Sequence, residues 1–134
     1  MRYYLDTNII IYGAKDVYPH LSDRILKHSP KSILIPSIVL YEIEYGAEKS
    51  INYDKTMFKY EKFLRLFSIA PFSVKAARYA GKVRSDLEKK GTPIGAYDVL
   101  IAGTVLADDG VLVTHNVEEF KRVEGLRVED WTSS

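Results

Sequence analysis

The chain has 134 residues, of which 46% are hydrophobic, so it can bury the core of one domain and is not composed like a disordered segment. It contains no cysteine, which excludes disulfides, thiolate metal sites and cysteine nucleophiles. The formal net charge of +1 gives no general support for a nucleic-acid partner, because such proteins are often strongly basic. No apolar run approaches the ~20 residues that cross a bilayer, and Asp6 interrupts any signal-peptide core. We therefore expect a cytoplasmic protein without a membrane anchor.

Short strands and helices alternate along the chain. The sequence predicts strands at residues 2–5, 32–35, 111–113 and 126–128, and helices at 20–28, 37–49, 55–67, 73–90 and 95–107. Ser37 is expected to cap the helix at 37–49, since a serine side chain can bond free N–H groups of the first turn. Segment 8–14 is ambiguous, because its three consecutive isoleucines favour a strand by local propensity. This alternation is typical of βαβ units with a mostly parallel sheet, and the fold class is α/β.

Three acidic residues stand in apolar surroundings. Asp6 directly follows the first strand, where a helix cap or an Asx turn is the ordinary explanation. Asp98 is the only charged residue of a helix that is apolar on nearly every face, and a buried carboxylate is costly unless it is paired or binds a cation. The alternative is a half-exposed position in the first turn, stabilised by the helix dipole. Glu42 lies among apolar residues of the helix at 37–49, although glutamates are usually exposed.

Two further polar residues follow the strand at 111–113. Ligands of parallel sheets bind outside the carboxyl ends of the strands, and Asp6 and Asn116 both follow such ends. Glu119 comes three residues later. These groups can therefore converge on one crevice with the acids.

Clustered carboxylates are suited to Mg²⁺ or Mn²⁺, which prefer oxygen ligands. Such ions hold the attacking water in phosphodiester hydrolysis and offset charge on the leaving oxygen. The three histidines are scattered and none has HxxxH spacing, so the pattern does not favour zinc.

Several motifs resemble those of PIN-domain nucleases, and they occur in the family's order over essentially the whole chain. They are YLDTN at 4–8, SIVLYE at 37–42, GAYDVLIA at 95–102 and LVTHNVEEF at 112–120. The closing VEGLRVEDW at 123–131 resembles the C-terminal strand of the VapC toxin branch. The resemblance implies a single PIN domain over residues 1–134, with a three-layer α/β/α sandwich and a mostly parallel central sheet. It also favours a helix for segment 8–14.

The resemblance assigns metal binding to Asp6, Glu42 and Asp98. Many members have aspartate where this chain has Asn116, and many VapC-like members have aspartate where it has Glu119, so either residue can complete the catalytic set. Small hydroxylic residues of the family's pocket, which orient carboxylates or water, correspond here to Thr7, Ser37 and Thr114.

The activity implied by the resemblance is that of an endoribonuclease toxin of a type II toxin–antitoxin pair, using Mg²⁺ or Mn²⁺ in two-metal-type hydrolysis. The implied partners are an RNA substrate (tRNA, rRNA or mRNA), a VapB-like antitoxin and a second copy of the chain in a homodimer.

Local charge is the remaining source of support for RNA binding. Lys55, Lys59 and Lys62 recur at helical spacing, and a second basic group comprises Arg78, Lys82, Arg84, Lys89 and Lys90. They can form a rim that contacts phosphates, or simply a solvated helix face. The ten tyrosines can stack on bases, although core or interface packing is their commoner role.

Three other protein classes are alternatives to a PIN-domain nuclease. A haloacid-dehalogenase-like phosphatase needs a second aspartate where this chain has Asn8, and a receiver-type signalling domain needs a lysine near Thr114. A PIN domain without catalysis, acting as an RNA- or protein-binding module, is the stronger alternative, because a fold does not establish an activity.

Overall fold

A five-stranded sheet with the order β3-β2-β1-β4-β5 forms the centre of the computed structural model, which describes residues 1–133. The strands are β1 (Tyr3–Leu5), β2 (Ile33–Pro36), β3 (Ser68–Ala70), β4 (Val111–Val113) and β5 (Arg127–Glu129). The four pairings between neighbours are parallel, which confirms the predicted parallel sheet. Because β1 lies between β2 and β4 and the three strands are parallel, the residues that follow them lie together at the carboxyl ends of the strands.

Helices cover both faces of the sheet, as predicted for an α/β/α sandwich. They are α1 (Thr7–Ala14), α2 (Leu21–Leu26), α3 (Ser37–Lys49), α4 (Tyr53–Phe58), α5 (Glu61–Leu66), α6 (Val74–Lys89), α7 (Ala96–Ala107) and α8 (Val117–Phe120), with a short 3-10 turn at Pro30–Ser32. The ambiguous segment 8–14 is helical. Within residues 1–133, no helix is both long and apolar enough to cross a membrane.

The prediction of one helix over 55–67 is wrong. That segment contains two helices, α4 and α5, because the chain turns at Lys59 and Tyr60. The apolar stripe nevertheless faces inward, since Tyr60 and Phe67 are buried, but Phe67 has left the helix and has an extended backbone. Strand β3, which follows directly, was not predicted. It is short, lies at the edge of the sheet and has two exposed residues, so it lacks the apolar run of a buried strand.

The predicted cap at Ser37 is also wrong. Pro36 occupies the N-cap position of α3, and no side chain caps this helix. The Ser37 hydroxyl instead accepts a hydrogen bond of 3.1 Å from the backbone N–H of Phe72, in the loop after β3. The hydroxyl therefore joins α3 to a segment far away in sequence.

Helix α7 is buried along most of its length and packs tightly against α6. Its residues Ile101, Ala102 and Val105 have no exposed surface. A Cβ atom at Gly103 would lie 2.7 Å from the Ala80 Cβ and from a backbone oxygen of α6, so only glycine permits this approach. The close packing fixes the position of α7, and with it the carboxylate in its first turn.

Candidate functional site

Asp6 lies at the carboxyl end of β1, and its side chain is almost completely buried at 4% exposure. It is the N-cap residue of α1, since its Oδ1 accepts a hydrogen bond of 2.8 Å from the Thr7 N–H. Its Oδ2 accepts a second bond of 2.7 Å from the Thr114 hydroxyl. Burial raises the pKa of Asp6, while the two hydrogen bonds oppose that rise. The cap interpretation is therefore correct, and it accounts for only one of the two carboxylate oxygens.

Glu42 is half-buried on α3 and faces the same region. Its Oε1 accepts a hydrogen bond of 3.1 Å from the Thr7 hydroxyl, so Thr7 links the two acids through its backbone and its side chain. Burial raises the pKa of Glu42, and the negative charge of Asp6 raises it further against the effect of the Thr7 bond. Glu42 is thus not the freely solvated glutamate of the ordinary interpretation.

Asp98 stands in the first turn of α7, partly buried against Glu119. Burial raises its pKa to about 8, with added contributions from a hydrogen bond to Glu119 and from the charges of Asp6, Glu119 and Glu42. These four side chains, Asp6, Glu42, Asp98 and Glu119, form what we call the acidic cluster. The raised pKa of Asp98 favours its protonated form at neutral pH, in which it can donate a hydrogen bond to Glu119.

Glu119 is the member of the cluster that is best supplied with hydrogen-bond donors. Partial burial acts to raise its pKa, but donors and positive charge around it lower the pKa below its usual value. Its Oε1 accepts a hydrogen bond of 2.8 Å from the Gly95 N–H, and its Oε2 accepts one from the Asn116 amide. Arg122 adds a favourable charge. This environment keeps Glu119 ionised beside the protonated Asp98.

Asn116 and Glu119, the two predicted alternatives for completing the set, make different contacts. Asn116 uses its side-chain amide on Glu119, and its backbone N–H donates to the Thr114 hydroxyl at 3.0 Å. Glu119 is the group that brings a carboxylate to Asp98. Asn116 is thus placed to hold Glu119.

Gly95 is a contact of the cluster that sequence analysis missed. Besides donating its N–H to Glu119, it lies so near Asp98 that a Cβ at this position would stand 3.1 Å from Asp98 Oδ2. Its sequence signals are its place directly before a helix, which by itself indicates no more than a helix boundary, and its place at the start of the motif at 95–102.

The remaining predicted residues differ in whether they contact the acidic cluster. Ser37 contacts Phe72, as described above, whereas Thr7 and Thr114 bond the acids. His115 is held at Nδ1 by Asp130 and Thr132, so its visible role is structural.

The residues of the predicted basic groups lie on several helices. Lys55 lies on α4 and Lys62 on α5, so they do not share a helix face. In the second group, Arg84 pairs with Glu88 at 3.2 Å and Lys90 with Glu124 at 3.8 Å, as expected for a solvated face.

Within residues 1–133, no three acidic or histidine side chains are already arranged as a set of metal ligands. The predicted shared cation therefore stays a prediction. The chemistry of the cluster nevertheless fits such an ion. Carboxylate oxygens are its preferred ligands. A divalent charge would offset both the burial and the mutual repulsion that raise the pKa values of Asp6, Glu42 and Asp98.

Comparison with known proteins supports one family. The PIN domain family model matches residues 3–126. The chain is 37% identical over 131 residues to the tRNA(fMet)-specific endonuclease VapC of Salmonella typhimurium, with 98% of each chain covered. It is 40% identical over 134 residues to Ribonuclease VapC2 of Rickettsia felis, again with 98% of each covered.

Solved structures give the same result for the fold. The structure of VapBC2 from Rickettsia felis bound to a promoter DNA fragment superimposes with a TM-score of 0.91 and 38% identity, covering 98% of this chain and 99% of that one. FitAcB from Neisseria gonorrhoeae has a TM-score of 0.83 at 22% identity, covering 98% of this chain and 99% of that one, and this likeness shows the fold alone.

Proposed function

The chain belongs to the PIN-domain family and to its VapC branch of toxin ribonucleases, and from this premise we propose that its acidic cluster hydrolyses RNA phosphodiester bonds with Mg²⁺ or Mn²⁺. The observation that carries the proposal is the convergence of Asp6, Glu42, Asp98 and Glu119 from four separate segments. Four adjacent carboxyl groups do not stabilise a protein fold, because they repel one another unless they hold protons or a cation.

Each acid of the cluster is held by a polar neighbour. Thr7 and Thr114 fix the two oxygens of Asp6, and Thr7 also fixes Glu42. Gly95 and Asn116 fix Glu119. Such supporting contacts orient ligands before an ion arrives and so reduce the conformational cost of binding it. We propose Asp6, Glu42 and Asp98 as the metal ligands and Glu119 as the acid that completes the set, positioned by Asn116.

When bound, Mg²⁺ or Mn²⁺ supplies the positive charge that lowers the pKa of an attacking water and offsets charge on the leaving oxygen. The protonated Asp98 must give up its proton to act as a ligand. Binding of the metal ion is therefore expected to be coupled to loss of the Asp98 proton.

The names of the relatives suggest the substrate and the partner. The Salmonella typhimurium relative is named as specific for tRNA(fMet), and the Rickettsia felis structure contains the VapBC2 complex. We propose that this chain cuts a cellular RNA, with tRNA as the first candidate, and that a VapB-like antitoxin inhibits it in the cytoplasm. We also propose a homodimer as its functional state.

The test is cleavage of labelled RNA, with tRNA, rRNA and mRNA as separate substrates. Wild-type protein is expected to cut in Mg²⁺ or Mn²⁺ and to be inactive in EDTA. Asp6→Asn and Asp98→Asn are expected to abolish cleavage, because each removes a proposed ligand charge. Glu119→Gln is expected to reduce cleavage strongly.

Glu118→Gln is the matched control, because it makes the same substitution at an exposed neighbour of Glu119 that lies outside the cluster. It is expected to cut as the wild type does. Full metal-dependent activity in Asp98→Asn would contradict the proposal. Folded wild-type protein that binds RNA but does not cut it would favour the non-catalytic alternative.

A further inference from the structure

A row of exposed aromatic side chains begins beside the acidic cluster. Tyr41, Tyr45 and Tyr97 are 46%, 55% and 47% exposed, which is unusual for three large rings in contact. We call this row, which ends at Lys49, the tyrosine strip. Tyr41, Tyr45 and Lys49 are spaced four residues apart on α3, so they share one helix face.

Contacts within the strip order its rings. The hydroxyl groups of Tyr41 and Tyr97 are 3.0 Å apart, and their rings meet edge to face with centroids 5.3 Å apart. The rings of Tyr41 and Tyr45 are nearly parallel, at 16°, with centroids 6.4 Å apart. The Nζ of Lys49 lies 5.2 Å from the centroid of the Tyr45 ring. The strip is therefore a row of contacting rings with a cation at one end.

The other end of the strip is adjacent to two acids of the cluster along the sequence. Tyr41 immediately precedes Glu42, and Tyr97 immediately precedes Asp98. From Tyr41 to Lys49 the strip runs about 12 Å along the axis of α3, at the usual helical rise. The end of the strip opposite Lys49 is therefore formed by the residues that directly precede the two acids.

We propose that the tyrosine strip binds single-stranded RNA and guides it to the acidic cluster. This inference rests on the proposed ribonuclease function and names a binding surface for its substrate. Exposed rings held in a row give bases a stacking surface that tolerates any sequence. Lys49 provides the positive charge that a phosphate needs, at the point farthest from the carboxylates.

A second copy of the chain is the rival occupant of this surface. Single-stranded RNA fits the observations better, because a protein copy lying along the strip would also lie beside the acids that the substrate must reach. The strip also offers phenol hydroxyl groups and a lysine at its end, which suit bases and phosphates.

The experiment measures equilibrium binding of a short fluorescein-labelled oligoadenylate in EDTA, with every variant built on Asp98→Asn so that no cleavage occurs. Tyr41→Ala and Tyr45→Ala are each expected to weaken binding at least about fivefold, as loss of one base–ring stack does. Tyr41→Phe and Tyr45→Phe keep the ring faces and are expected to bind within about twofold of the parent.

Tyr79→Ala is the matched control. Tyr79 is 39% exposed, comparable to the strip, but it lies near Leu106 at the opposite end of α7 from Tyr97. Its removal is expected to leave binding unchanged. Light scattering after size-exclusion chromatography is run on all variants, and the oligomeric state is expected to stay that of the parent.

Unchanged RNA binding in both alanine variants would overturn the inference. So would a loss of binding that occurs together with a fall in molecular mass, because the strip would then be an interface between copies. The cleavage assay on the wild type is independent of these outcomes. RNA binding that depends on the strip, without any cleavage, would contradict the proposed function and support the strip as an RNA-binding surface. Cleavage together with RNA binding that does not depend on the strip would support the proposed function and contradict the strip as the binding surface.

Discussion

Asp98→Asn is expected to stabilise the protein in the absence of divalent ions. Asp98 has a pKa of about 8 in the folded protein, whereas an aspartate in an unfolded chain has a pKa near 3.9. The folded state therefore binds more protons than the unfolded state between about pH 4 and pH 8. By linkage, this residue lowers the stability of the protein as pH rises through that window, and the full cost is present above pH 8. Asparagine cannot ionise and can still donate an N–H to Glu119.

The size of the effect follows from the shift and from exposure. A rise of the pKa from 3.8 to about 8 corresponds to roughly 5–6 kcal/mol if the whole shift is converted. Asp98 is only partly buried, so solvent screening reduces that figure considerably. We expect the free energy of unfolding to rise by about 1–2 kcal/mol at pH 8. For a chain of this size, that increases the melting temperature by roughly 3–8 °C.

The assay is thermal unfolding in EDTA from pH 5 to pH 8, with urea unfolding for the free energy. Asp86→Asn, on α6, removes one negative charge outside the cluster and serves as the control. The gain in Asp98→Asn is expected to grow as pH rises. A variant no more stable than wild type at pH 8, or a gain that does not change with pH, would refute the assigned electrostatics.

Two packing predictions test the framework around the cluster. Thr114→Val removes the hydroxyl that donates to buried Asp6, and is expected to lower the free energy of unfolding by about 1–3 kcal/mol, measured by urea unfolding. Thr114→Ser keeps the donor, and equal losses in the two variants would show that the hydrogen bond is not the cause. Gly103→Ala is expected to cost about 1–3 kcal/mol, because its Cβ would stand 2.7 Å from Ala80. Gly46→Ala on α3 is the control, because a Cβ there meets open space, and it is expected to be neutral or to stabilise by up to about 1 kcal/mol. Thermal unfolding measures both glycine variants. A greater loss of stability in Gly46→Ala than in Gly103→Ala would contradict the packing of α6 on α7.

Local patterns in the sequence were sufficient for most of the fold. Helix α7 shows why, since its nearly uniform apolar character indicated burial and made Asp98 conspicuous. The break between α4 and α5 escaped prediction because no glycine or proline marks it, and the apolar stripe continues through it. Propensity favoured a strand for segment 8–14, and only the family resemblance gave the correct helix.

Contacts between distant residues account for what the sequence could not specify in the site. The carboxylate of Glu119 accepts a hydrogen bond from the Gly95 N–H, which is 24 positions away in sequence. Likewise, the Ser37 hydroxyl bonds Phe72, 35 positions away, instead of its own helix. Spacing along one chain does not reveal which donors a fold brings to a given carboxylate.

Mn²⁺ binding to RNA-free protein, followed by isothermal titration calorimetry near neutral pH, examines the shared cation most directly. We expect wild-type protein to bind Mn²⁺ with release of a proton, because Asp98 must ionise to become a ligand. Glu42→Gln should weaken that affinity at least about tenfold, and Glu118→Gln should leave it unchanged. Equal Mn²⁺ affinity in wild type and Glu42→Gln, or no binding at all, would contradict a common ion held by these carboxylates.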